Sequence, residues 1–70
     1  MSAELEPARL GKARPVRETA KALLVYLESD GEEHWIPKSV IHDDSEVYSM
    51  KAGDGELIVE GWWAEKEGLS

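Results

Sequence analysis

The stretch Glu33-His34-Trp35-Ile36-Pro37-Lys38-Ser39-Val40-Ile41 constrains the fold more than any other part of the chain. A bulky apolar pair runs straight into a proline, and a β-branched pair follows three positions later. Proline lacks an amide hydrogen and fixes φ, so it ends ladder pairing and suits the first position of a short helical turn. The stretch therefore predicts a strand that stops at Pro37, one tight turn, and Val40 and Ile41 seated under the same core that holds Trp35.

Seventy residues allow one domain at most, close to the lower limit for folding alone. There is no cysteine, so neither a disulfide nor a thiolate metal site can help. No stretch resembles a signal peptide or a membrane span. The longest apolar run, Ala22 to Leu27, is six residues, against about 20 for a spanning helix. A soluble cytoplasmic protein is the expectation.

Charge is distributed unevenly. Residues 1–17 hold Arg9, Lys12, Arg14 and Arg17 against Glu4 and Glu6. Residues 18–70 hold four lysines against thirteen acids, which brings the whole chain to −7. The pattern is an acidic body with a short basic lead.

Pro7, Gly11, Pro15, alanines and charges fill residues 1–17 without a sustained apolar period, which predicts a flexible tail. Thr19 to Glu28 reads as the first strand, with Leu23, Val25 and Leu27 on one face and Ala20, Ala22, Leu24 and Tyr26 on the other. The helix propensity of Ala20 to Leu24 competes, but Ser29-Asp30-Gly31 between two apolar runs is a hairpin signal and decides for a strand. Glu32 to Ile36 is the returning strand, Glu46 to Met50 a short third strand, and Glu56 to Glu60 a fourth, after the turn Lys51-Ala52-Gly53-Asp54-Gly55. Gly61 to Glu67 reads as a closing helix, with Gly68 at its left-handed cap and Leu69 able to make the accompanying apolar contact. The expected fold is mainly β: a four- to five-stranded antiparallel barrel of SH3/OB-like size over residues 18–70, with a short C-terminal helix. Closure of that kind removes most exposed edges from a very small domain.

Two resemblances attach to these residues. Trp35-Ile36-Pro37-Lys38-Ser39-Val40-Ile41 resembles the Pro-x-Ser/Asn-x-Val turn before the last strand of SH3-type barrels. It lacks the acidic and aromatic loop positions by which those domains hold proline-rich peptides, so it implies a barrel rather than a ligand. The order of Lys21-Ala22-Leu23-Leu24-Val25, Trp35-Ile36-Pro37-Lys38-Ser39, Asp43-Asp44-Ser45-Glu46-Val47, Gly55-Glu56-Leu57-Ile58-Val59 and Trp63-Ala64-Glu65-Lys66-Glu67-Gly68-Leu69 resembles small proteins encoded by phages and bacterial mobile elements. That family has no agreed activity. The likeness implies a mobile-element origin and a compact β fold, and it brings no catalytic residues.

Chemistry is sparse. The serines lack a nucleophile-elbow context, and Gly53-Asp54-Gly55 precedes a strand where a phosphate cradle would need a helix. His42, Asp43, Asp44 and Glu46 cluster, but their spacing fits neither a calcium loop nor a zinc site. The expectation is a non-enzymatic protein without metal or cofactor.

The tryptophans and the acids carry more. Trp35, Trp62 and Trp63 are three of the five aromatic residues. Neighbours on a helix lie about 100° apart, so one of Trp62 and Trp63 should be partly exposed, and exposed tryptophan is a typical interface anchor. The candidate partner-binding residues are Asp43, Asp44 and Glu46, acting electrostatically, with Trp62 or Trp63 as the apolar anchor. The partner they suit is a basic surface on a host protein, of the kind that otherwise holds nucleic acid, as in an anti-CRISPR or other nuclease inhibitor. Single-stranded nucleic acid, bound by tryptophan faces and the tail cations, is the runner-up; the acidic body weighs against it. A homo-oligomer that buries its sheet edge and Trp63 is the third reading.

Overall fold

A computed structural model describes residues 6–69. Four antiparallel strands form one open sheet in the order β3-β2-β1-β4: β1 is Ala8–Glu18, β2 Ala22–Leu27, β3 Glu32–Pro37 and β4 Gly55–Val59. One helix, α1 (Gly61–Glu67), follows β4 directly.

The largest departure from expectation is β1. Residues 8–17 of the expected tail form most of this central strand, paired with β2 on one side and β4 on the other. Residues 1–5 of that tail lie outside the described residues. The supposed breakers are accommodated locally. Gly11 takes a positive φ of 86° at a bulge opposite β4, a geometry that glycine adopts without strain. Pro15 comes after β1 has run past its last partner in β4, so the strand has only β2 beside it there, and proline is tolerated at such an edge. A second bulge, between Pro15 and Arg17, lies opposite β2.

The β1–β2 connection is tight. The Thr19 hydroxyl accepts from the Ala22 amide at 3.0 Å, so β2 begins at Ala22 rather than at Thr19. The Asp30-Gly31 hairpin forms as expected: Gly31 has φ 70° and donates to the Leu27 carbonyl at 2.8 Å. Leu23, Val25 and Leu27 face the core, whereas Leu24 is half-buried and Tyr26 exposed.

Trp35 is not a core residue. It stands opposite Leu24, and the next pair along, Leu23 and Ile36, is completely buried. Successive strand residues point to opposite faces, so only one of Trp35 and Ile36 can enter the core. The register selects Ile36 and leaves Trp35 48 % exposed. Pro37 ends β3 as expected and opens a 3-10 turn, Lys38–Val40, whose Val40 is buried.

The expected barrel does not close, and Glu46 to Met50 is not a strand. The chain after the turn runs along the outer edge of β4, making one isolated bridge, Ile41 to Val59. Backbone bonds from His42 to Ile58, Glu46 to Glu56 and Glu60 to Val40 continue the contact. Side chains replace the missing ladder bonds: the Ile58 amide donates to Ser45 Oγ at 3.1 Å and the Glu56 amide to Glu46 Oε1 at 2.9 Å. Glu46 lies so close over Gly55 that a Cβ there would sit 2.7 Å from Glu46 Cβ. A second 3-10 turn, Met50–Ala52, leads back to β4.

The core is one cluster on one face of the sheet. It takes Leu10 and Ala13 from β1, Leu23, Val25 and Leu27 from β2, Ile36 from β3 and Leu57 and Val59 from β4. Val40, Val47, Trp63 and Ala64 cover it. The helix ends as expected: Gly68 takes φ 75°, the Leu69 amide donates to the Ala64 carbonyl at 2.8 Å, and Leu69 packs against the core. No helix among the described residues is long and apolar enough to cross a membrane.

Candidate functional site

The loop after the Pro37 turn gathers most of the residues with recognition chemistry. Its shape is set by Ser45, a buried polar residue. A hydroxyl has one proton to give; here it goes to the Val47 carbonyl at 2.9 Å, and the oxygen accepts the Ile58 amide at 3.1 Å and the Val47 amide at 3.3 Å. The loop is thereby clamped to β4. At its crown the Asp44 amide donates to His42 Nδ1 at 3.1 Å. A backbone amide can only donate, so Nδ1 is the acceptor, and the neutral ring carries its hydrogen on Nε2.

Asp43 and Asp44 project from this fixed backbone into solvent. Trp62, 49 % exposed, lies on the first turn of α1. Both groups hang from the same junction, because Val40 to His42 run beside Ile58 to Glu60. The structure thus leaves Asp43, Asp44 and Trp62 exposed on the two sides of this short pairing, the acids beyond its His42–Ile58 end and Trp62 beyond its Val40–Glu60 end. Glu46 stays exposed, with its Oε1 accepting from the Glu56 amide. Of the two tryptophans the structure leaves Trp62, since Trp63 is only 8 % exposed within the core cluster. A homo-oligomer contact through Trp63 is lost for the same reason.

A depression of about 310 Å³ lies beside Asp43, lined by Lys38, Ile41, His42, Asp43 and Tyr48. Sequence reasoning missed Tyr48, which it assigned to a strand and which is exposed here. Lys38 is anchored at the rim by a short bond to Glu18 Oε2, and the other Glu18 oxygen accepts the Met50 amide at 3.0 Å. The Lys38 hydrogen bond, with the Met50 amide second, holds the Glu18 carboxyl below its ordinary 4.5. Glu18 therefore joins the end of β1 to both 3-10 turns. At the far hairpin, the Glu32 amide and then His34 hold Asp30 below its ordinary 3.8.

Comparison with protein-family models, with curated proteins and with solved structures returns no match. What the site can do is therefore argued from its own groups. Among the described residues, no three of His, Asp or Glu converge as a metal-binding group. The depression is open, and its one lysine is already paired with Glu18. The groups present are two exposed carboxylates on a braced loop, an exposed indole and an exposed phenol.

Proposed function

We propose that the chain is a non-enzymatic binding protein that docks Asp43, Asp44 and Trp62 on a basic surface of another protein, of the kind that otherwise holds nucleic acid. The carrying observation is the fixed loop: Ser45 and His42 hold the backbone that presents the two carboxylates, so little ordering cost remains to be met on binding. Exposed charges on a rigid support accelerate encounter and orient the complex, while a partly exposed tryptophan supplies a desolvated anchor. A cytoplasmic inhibitor of phage or mobile-element origin, of the anti-CRISPR or other nuclease-inhibiting type, fits this description. The resemblance of the Trp35–Ser39 and Asp43–Val47 segments to phage proteins supports that origin. The likeness to SH3-type barrels rests on the Trp35–Ile41 turn, while the sheet itself stays open.

The test is affinity capture from a nuclease-treated bacterial lysate, comparing the wild type with Asp43→Lys/Asp44→Lys and with Trp62→Ala. The expected result is capture of a nucleic-acid-binding protein that added DNA displaces and both variants lose. Equal capture by the double charge reversal would overturn the assignment.

A further inference from the structure

Cations recur along β1 at positions 9, 12, 14 and 17, and strict alternation would divide them between the two faces of the sheet. The two bulges prevent this. Residues directly opposite one another in antiparallel strands share a face, and the registers place Arg9 opposite Ile58, Lys12 opposite Glu56, Arg14 opposite Tyr26 and Arg17 opposite Leu24. None of these partners belongs to the core cluster, whereas the alternate residues Leu57, Val59, Leu23, Val25 and Leu27 all do. The first bulge shifts the alternation by one residue and the second shifts it back. All four cations therefore stand on the face turned away from the core.

Aromatic residues stand beside them. Arg17, Leu24 and Trp35 form one row across β1, β2 and β3, and Arg14, Tyr26 and Glu33 form the next. Tyr26 and Trp35 are diagonal neighbours, about 7–8 Å apart between backbones, and both are exposed. Helix α1 and the β4-edge loop contribute their buried side chains to the opposite face. The cation line on β1 and the aromatic diagonal on β2 and β3 lie one to two strand spacings apart, roughly 5–10 Å.

We propose that this outer face binds single-stranded nucleic acid, with the sugar–phosphate backbone along β1 and two bases stacked on Tyr26 and Trp35. The site is separate from the Asp43–Trp62 surface, and the proposal goes beyond the function proposed above without resting on it. Charge complementarity selects the occupant: a row of four cations wants a polyanion, and flat exposed rings beside it want bases. The acids locally opposing it are Glu28, whose amide donates to the Lys12 carbonyl at 3.1 Å, Glu33, Glu56, which pairs with Arg9 at 3.0 Å, and Asp54, which pairs with Arg14 at 3.5 Å. These pairs are exposed and exchange readily for phosphate. The rest of the net charge of −7 acts weakly beyond a screening length of about 10 Å at 0.1 M salt.

Fluorescence anisotropy of a labelled ten-residue oligothymidylate, titrated with the full chain at 50 mM salt, tests this. Saturable binding is expected, weakened about tenfold or more by Trp35→Ala and by Arg14→Glu/Arg17→Glu, with Lys66→Glu on α1 unchanged. A log–log salt slope near −2 to −3 is expected from up to four phosphate contacts. Thermal melts confirm that these surface variants fold. Absence of saturable binding overturns the proposal. So does loss on Lys66→Glu with Trp35→Ala unaffected, and so does equal binding of a polyglutamate peptide, which would reduce the face to charge alone.

Discussion

Removing the Ser45 hydroxyl should destabilise the protein well beyond an ordinary serine-to-alanine change. The oxygen is the acceptor for two amides, Val47 and Ile58, in a residue that is itself buried. Each buried amide left without a partner costs about 1–3 kcal/mol. The longer of the two bonds, at 3.3 Å, contributes least, which puts Ser45→Ala at about 2–4 kcal/mol. A domain of this size holds only about 4–10 kcal/mol in total. In urea, with a slope of about 1 kcal/mol per molar for so small a chain, the unfolding midpoint should fall by about 2–4 M. Exposed Ser39 is the control, and Ser39→Ala should move the midpoint by less than about 0.5 M. The comparison is made by circular dichroism, with tryptophan emission as a second probe. If the two variants unfold together, the loop is not held to β4 by this hydroxyl, and the case for a prearranged Asp43–Asp44 pair fails with it.

Gly55→Ala should cost about 1–3 kcal/mol in the same assay, because the added methyl group meets Glu46 Cβ rather than a yielding side-chain tip. Glu18 and Asp30 both titrate lower when folded than when unfolded. The unfolded chain therefore takes up these protons first, and their stabilisation, complete above the ordinary values of 4.5 and 3.8, is lost as pH falls through the folded values. Glu18→Gln should accordingly flatten the acid limb of a melting-temperature profile below about pH 5. Iodide should quench Trp35 and Trp62 and spare Trp63, so Trp35→Phe/Trp62→Phe should leave an emission that is blue-shifted and nearly unquenched.

The punctuation of the chain was legible in its residues. Asp30-Gly31, Pro37 and Gly68-Leu69 act through backbone geometry that depends on neighbours alone, and each does what its chemistry dictates. Features that depend on distant partners were not legible. Trp35 and Ile36 are adjacent and both bulky, and only the pairing of Ile36 with Leu23 decides which turns inward. Pro7, Gly11 and Pro15 read as breakers because nothing local reveals that β4 stops short of Pro15. The Ser45 and Glu46 bonds that replace a strand join residues ten or more positions apart. At the candidate site, one exposed member of the Trp62–Trp63 pair was foreseeable from helical spacing, whereas the diversion of Glu46 to a backbone amide was not. An isolated glycine in a strand does signal a bulge, and Gly11 was the one local clue that the cations of β1 share a side.

With the flank of β4 taken by its own loop, and the end of β1 past β4 interrupted by Pro15 and a bulge, β3 is the one full-length backbone rim among the described strands. That rim is six residues long, opens with Glu32 and Glu33 and stops at a residue that cannot donate. A second molecule extending the sheet there in parallel register would set carboxylate against carboxylate, and in antiparallel register would meet Pro37 opposite Glu32 and lose a ladder bond. Concentrated solutions of the protein are thus guarded against filament growth at the place where a small open sheet is most vulnerable.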